Sequence, residues 1–373
     1  MSNKARSVVL DESVGGRFRP VNARPFKIAG LLPEKSAVNA RPPTCQAPPA
    51  APRALARARA LIAPSQLAGL LRDPAVRLLE AGCDGAAAFE QAHIDGAVYL
   101  DTRALEAPPL FNKVDDAALL RVLLAHGVRH DTTVVVYSRN PLAAARAAHL
   151  MLYAGVIDVR MLDGGFGAWR VAGLPAVAGR AAAPLPAFDF GAPFPARPDF
   201  LTGMVQARAL LAQPDGVLVS IRTWSEYTGA TSGYSYIAAR GEIPGALWGR
   251  AGREGDVNSM SHFQHPDGRM LDGAAIEALW RAGGIHRASH NAFYCGTGWR
   301  ASLAFFYAWV IGWERISVYD GGWFEWSADP ANPVAINAAA PPRCETPVPS
   351  DLAPSARHPS PTSASCRNRS ASG

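Results

Sequence analysis

The chain has 373 residues, 49% hydrophobic and 18% charged, with 34 glycines, 31 prolines and five cysteines. At about 100–200 residues per domain, this length excludes a single small module and predicts two domains plus extensions. The formal charge of +6 invites a nucleic-acid reading, but residues 1–60 hold 11 Lys+Arg against three Asp+Glu and residues 337–373 four against two, leaving 61–336 at −4; the basicity belongs to the ends and removes the case for a nucleic-acid-binding body.

Residues 1–60 are rich in Ala, Pro and Arg and repeat Val-Asn-Ala-Arg-Pro at Val21–Pro25 and Val38–Pro42. Such composition buries too little apolar surface to offset chain entropy, and a disordered basic extension is expected. The first 30 residues lack a continuous apolar core, so no secretory signal is visible. The expected location is cytoplasmic, or periplasmic if the natural start carries a signal not seen here. From 61 to 183, strands are expected at Val76–Glu80, Val134–Ser138 and Val159–Leu162, and helices at Ala117–Ala125 and Ala143–Tyr153. Pro184 to Pro198 has the composition of an interdomain linker. From 199 to 336 the strands are Val217–Ile221, Ala292–Cys295 and Ile316–Tyr319, and the helices Gly273–Ala282 and Ala301–Val310. The apolar run Ala301 to Trp313 spans 13 residues, short of the ~20 needed to cross a bilayer, and reads as a buried helix. Residues 337–373, studded with Pro and Ser, read as a disordered tail.

Asp163-Gly-Gly-Phe-Gly-Ala-Trp169 recurs 157 residues later as Asp320-Gly-Gly-Trp-Phe-Glu-Trp326, and His93-Ile-Asp-Gly-Ala97 recurs after 149 as Glu242-Ile-Pro-Gly-Ala246. Two copies of one unit therefore lie in tandem. Each alternates strand and helix, which predicts an α/β fold with a mostly parallel sheet flanked by helices and a ligand site at the carboxyl ends of its strands.

The offset of 157 sets Ser138 opposite Cys295, each after a strand and before a helix. Only the second copy carries a sulfur nucleophile, in Cys295-Gly296-Thr297-Gly298-Trp299-Arg300. The glycines let the backbone curl with its N–H groups inward, and the following helix presents its positive end, so a reactive thiolate is expected at Cys295 and a silent first copy. The five cysteines are scattered without a C-x-x-C pair, which argues against a disulfide framework or zinc site and for a reducing compartment. His262 and His265 lack a third ligand, so neither a metal nor a cofactor is expected.

The paired His/Glu-Ile-x-Gly-Ala and Asp-Gly-Gly-aromatic motifs and the six-residue Cys loop resemble the tandem rhodanese family of sulfurtransferases over roughly residues 65–335. The resemblance implies two rhodanese-like domains, the second catalytic. Its Cys295 would take a sulfane sulfur from thiosulfate, or a similar anionic donor such as 3-mercaptopyruvate, and pass it to cyanide or a thiol. It assigns the loop residues Gly296, Thr297, Gly298, Trp299 and Arg300, with Arg222 after the early strand, to the substrate. In the family an Asp usually precedes that arginine by two residues, where Ser220 stands here. A second cation is usual further on, where only Arg240, in the longer Thr228–Arg240 segment, is on offer. Loop sequence leaves the donor open. Arg222 could instead pair with Glu226, and Trp299 could either wall the pocket or anchor the next helix. Asp320 and Trp326 read as fold-holding, because the silent copy has them too.

The rivals are a cysteine-dependent phosphatase or arsenate reductase of related fold, disfavoured by Cys-x4-Arg spacing where those enzymes use Cys-x5-Arg, and a non-catalytic binding module. Partners are a small anionic sulfur donor and a thiol or cyanide acceptor, with no nucleic acid and no membrane. Nothing in the sequence sets the oligomeric state, and a monomer is the simplest expectation.

Overall fold

The computed structural model describes residues 56–180 and 183–336. The extension before residue 56 and the tail from 337 lie outside the described residues.

Two five-stranded parallel sheets have the same internal order. In the first copy, β1 (Leu61–Ile62), β2 (Val76–Gly82), β3 (Val98–Asp101), β6 (Thr133–Tyr137) and β7 (Asp158–Leu162) lie as β1-β7-β6-β2-β3. In the second, β8 (Leu201–Thr202), β9 (Gly216–Ser220), β10 (Leu247–Trp248), β11 (His290–Tyr294) and β12 (Ile316–Tyr319) lie as β8-β12-β11-β9-β10. The pair β4 (Glu106–Ala107) and β5 (Asn112–Lys113) forms a small antiparallel hairpin after β3. All six expected strands and four expected helices are present within a few residues; the short edge strands and the hairpin carry too few residues for a periodic signal. Central β6 reads Thr-Val-Val-Val-Tyr, β-branched and aromatic, and is buried from Val134 to Tyr137, as suits a strand covered on both faces.

The helices α4 (Pro141–Ala154) and α9 (Trp299–Val310) join the copies. Proline opens α4, the Asn140 side chain accepts from the Leu142 N–H at 3.1 Å, and Gly155 closes it with φ of +105°. Leu142 to Ala154 are all buried, as are Trp299 to Trp309 of α9. Helices covered all round belong inside a protein, and these two pack on each other in a core that runs through both copies. The apolar run from Ala301 is thus the buried helix its length predicts, and no helix among the described residues is long and apolar enough to cross a membrane.

Two stretches are more ordered than their composition suggests. The Pro-rich connection is strapped along the first copy: Ala187 N–H donates to Leu124 O at 2.8 Å and Arg197 N–H to Tyr153 O at 3.0 Å, with Phe190 buried. Residues 56–60, assigned by composition to the extension, also pack on the body, with Ala60 fully buried and Arg57 donating to Trp313 O at 3.2 Å.

Candidate active site

The central strand β11 delivers Cys295 to the carboxyl edge of the second sheet. Its loop is tied from behind by α10 (Gly322–Ala328): Trp323 N–H donates to Cys295 O at 2.8 Å and Phe324 N–H to Gly296 O at 3.0 Å. A Cβ on Gly322, at φ of +53°, would meet Cys295 O at 2.5 Å, so the second glycine of the Asp-Gly-Gly motif is needed for this approach. The first copy uses the same device, Phe166 N–H to Ser138 O at 3.0 Å. Asp320 and its glycines therefore hold the loop as well as the fold. Gly298, at φ of +88°, caps α9, whose positive end favours an anion beside the loop.

Cys295 is a free thiol, 2% exposed. Beside Cys295 lies a cavity of about 30 Å³, room for about two water-sized groups. Thr297, Trp299 and Arg300 line it from the loop, Tyr234, Tyr236 and Asn258 from the rest of the second copy, and Asn140 and Leu142 from the first. The site lies where the copies meet.

Arg300 lies in the first turn of α9, where a cation is disfavoured. Its compensating anion is Glu226: Nη1 donates to Oε2 at 2.9 Å and Nη2 to Oε1 at 2.8 Å, both side chains buried. Glu226 belongs to α7 (Trp224–Tyr227), which starts there because Thr223 and Glu226 form a reciprocal capping box. Burial would push the Glu226 carboxyl up, but the charge and hydrogen bonds of Arg300, then Arg222, outweigh it and hold it at about 2. The Tyr234 hydroxyl accepts from the Gly296 N–H at 2.9 Å and from Arg300. Burial keeps Tyr234 protonated far above the usual phenol range, even with Arg300 pulling the other way.

The structure does not bring Arg222 to the cavity. It is fully buried behind the loop, donating to Gly241 O at 2.7 Å, pairing with Glu242 at 3.4 Å and Glu226 at 3.7 Å, and lying 5.0 Å over the Trp323 ring. Pairing with Glu226 is thus the better of its two readings, in the core rather than on the surface. Ser220, where the family has Asp, donates to Glu242 at 2.6 Å. Arg240 is exposed, reaches Ala230 O at 3.5 Å, and does not line the cavity either. Gly296 and Gly298 shape the loop without lining the cavity. Trp299 fulfils both its readings, since it lines the cavity and belongs to the core.

Sequence reasoning missed Tyr234, Tyr236, Asn140, Leu142 and Asn258. A signal for the tyrosines was present. Glu80 and Ser220 hold matching places beside Tyr137 and Tyr294, yet His93 follows Glu80 by 13 residues and Glu242 follows Ser220 by 22. That insertion carries both tyrosines, whereas the search for a cation within it found only Arg240. It also makes Gly296 obligatory, since a Cβ there would lie 2.3 Å from the Tyr234 ring.

A free cysteine at the carboxyl edge of the second of two matched parallel sheets, with a serine at the same place in the first, defines the class. The Rhodanese-like domain family matches residues 63–172 and 204–329, and the chain belongs to that family as a tandem member. It is 50% identical, over 71% of its length, to the thiosulfate sulfurtransferase YnjE of Escherichia coli, and spans 60% of that protein's length. The crystal structure of YnjE matches with a TM-score of 0.73 at 48% identity, covering 76% of this chain and 69% of that one. The putative thiosulfate sulfurtransferase SseB of Mycobacterium tuberculosis is 32% identical over 76% of this chain and 99% of its own. A crystal structure of an anaerobic ergothioneine biosynthesis enzyme from Chlorobium limicola, in complex with its natural substrate trimethyl histidine, matches at 38% identity and a TM-score of 0.71, covering 75% of this chain and 71% of that one.

Proposed function

We propose that the protein transfers a sulfane sulfur through a persulfide on Cys295, with thiosulfate or a similar anion as donor and cyanide or a thiol as acceptor. The observation that carries the reading is a free, buried Cys295 lining a cavity with room for about two water-sized groups, in the copy whose loop has the glycines. The Cys295 thiolate attacks the outer sulfur of thiosulfate; a new S–S bond forms, the old one breaks, and sulfite leaves with its electron pair. The acceptor then attacks the terminal sulfur and releases the Cys295 thiolate. Neither step needs an external oxidant or reductant. The positive end of α9, capped by Gly298, suits the persulfide anion. The relatives named as thiosulfate sulfurtransferases support the assignment. The spending of Arg300 on Glu226 weakens a phosphatase, which needs that cation for phosphate.

Intact mass after incubation with thiosulfate tests this. The wild type should gain one sulfur atom and lose it to cyanide, while Cys295→Ser, nearly isosteric, should do neither and keep its fold. Substantial transfer by folded Cys295→Ser would refute the assignment.

A second reading concerns the acceptor. The cavity is walled by the rings of Tyr234, Tyr236 and Trp299, and the charge of Arg300 is already compensated. Aromatic walls without a spare cation suit an aromatic or cation-bearing acceptor at the mouth; trimethyl histidine, the natural substrate of the Chlorobium protein, has both features. Incubating the isolated persulfide with trimethyl histidine distinguishes the readings: an unchanged ligand mass excludes this one.

A further inference from the structure

The silent first copy reaches the reactive loop through a buried chain of polar contacts. Glu106, on the β4–β5 hairpin, accepts from the Trp299 indole N–H at 2.7 Å through Oε1, and the same oxygen accepts from Arg146 Nε at 3.1 Å. Arg146, fully buried in α4, pairs in turn with Asp320 at 2.6 Å, and Asp320 accepts from the Lys113 N–H at 2.6 Å on the hairpin's second strand. The chain closes on itself, hairpin to α4 to the Asp-Gly-Gly turn and back. It reaches the cavity through the Trp299 ring. A buried indole N–H needs an acceptor, and its partner fixes where the ring lies.

We propose that Glu106 of the first copy is a positioning residue for the reactive loop of the second: it sets the Trp299 ring as the wall beside Cys295. The silent copy is thereby half of the site, which gives a reason for its retention beyond covering α9. The proposal deepens the sulfur-transfer reading, but its first test does not depend on that reading.

The test follows alkylation of Cys295 by iodoacetamide in the full-length protein, together with the NMR signal of the Trp299 indole N–H. Glu106→Asp keeps the charge for Arg146 but withdraws the acceptor by about one bond length, ~1.5 Å. Glu106→Gln keeps an acceptor in place and removes the charge. Loss of a charge-assisted contact that holds the wall should raise alkylation about tenfold in Glu106→Asp. Trp299→Phe should match it, and the double variant should go no further. Glu106→Gln should alkylate near the wild-type rate although it leaves Arg146 short of one anion and melts earlier. A merely structural role predicts the reverse order, with the variant that melts earliest alkylating fastest. That order would overturn the proposal, as would an unmoved indole signal in Glu106→Asp or multiplying effects in the double variant. In thiosulfate-to-cyanide transfer, Glu106→Asp should raise the thiosulfate KM while Glu106→Gln leaves it near wild type; absence of transfer in the wild type would sink the sulfur-transfer reading and leave the alkylation result to decide Glu106.

Discussion

Gly296 shows how closely the loop is fitted. A single added carbon would meet the Tyr234 ring at 2.3 Å, and that ring cannot retreat without dropping its contacts to the Gly296 N–H and Arg300. Gly296→Ala should therefore keep the fold and lose at least tenfold in sulfur loading of Cys295, measured by mass after thiosulfate; a wild-type loading rate would show that the segment carrying Tyr234 yields freely. Arg222 belongs to another kind of site. Because it neutralises Glu242 and part of Glu226 inside the core, Arg222→Ala should cost about 3–5 kcal/mol of stability, with little change in the thiosulfate KM of whatever remains folded. Urea unfolding and kinetics on the same sample check this. A raised KM at unchanged stability would return Arg222 to the substrate.

At the scale of elements, the pairing of α4 with α9 carries a titratable group that the mechanism does not use. His149 of α4 is fully buried, its Nε2–H donating to Phe200 O at 2.9 Å and its ring 4.7 Å from Phe305 of α9. Burial first, then the nearby Arg146 charge, lowers its pKa to about 4 from 6.5. The unfolded chain therefore takes up a proton between pH 6.5 and 4 that the folded one refuses. The stability this group contributes is whole above pH 6.5, falls as pH drops to about 4, and is then lost, a change on the order of 3 kcal/mol. Glu226 acts lower, its contribution being present above about pH 4.5 and lost as pH falls toward 2. Melting temperature against pH should show the first decline in the wild type and not in His149→Gln. A parallel decline in both would clear His149 of the effect.

At the scale of the molecule, the two copies are one folding unit in all but sequence. The face of α9 that carries Ala301, Ala304, Phe305 and Ala308 is buried in a core shared with α4, and the cavity at Cys295 takes Asn140 and Leu142 from the first copy. Residues 199–336 produced alone should expose that face, aggregate or unfold, and fail to load sulfur. Adding residues 56–198 in trans should restore both solubility and loading, read by light scattering and intact mass. A stable, active second copy on its own would mean that the shared core contributes little.

Cys295, its glycines, the order of strands and helices, and the serine in its place in the first copy were legible in the chain, because each rests on local pattern: an alternation that specifies a parallel sheet, and a repeat whose constant offset aligns Ser138 with Cys295. The charge of Arg300 and Arg222 was legible too, but not its use, since a cation's partner is whichever anion the fold brings closest. Glu226 comes from a neighbouring short helix and Glu242 from beyond an insertion. Tyr234 and Tyr236 lie in that insertion, where no periodic signal aims a side chain. Glu106 and Asn140 belong to the other copy, far away in sequence from the loop they meet. Local periodicity and spacing settle which elements form and where the nucleophile stands. Packing α4 against α9 settles what surrounds it, because contacts between distant segments depend on how two finished surfaces meet and leave no mark in either segment alone.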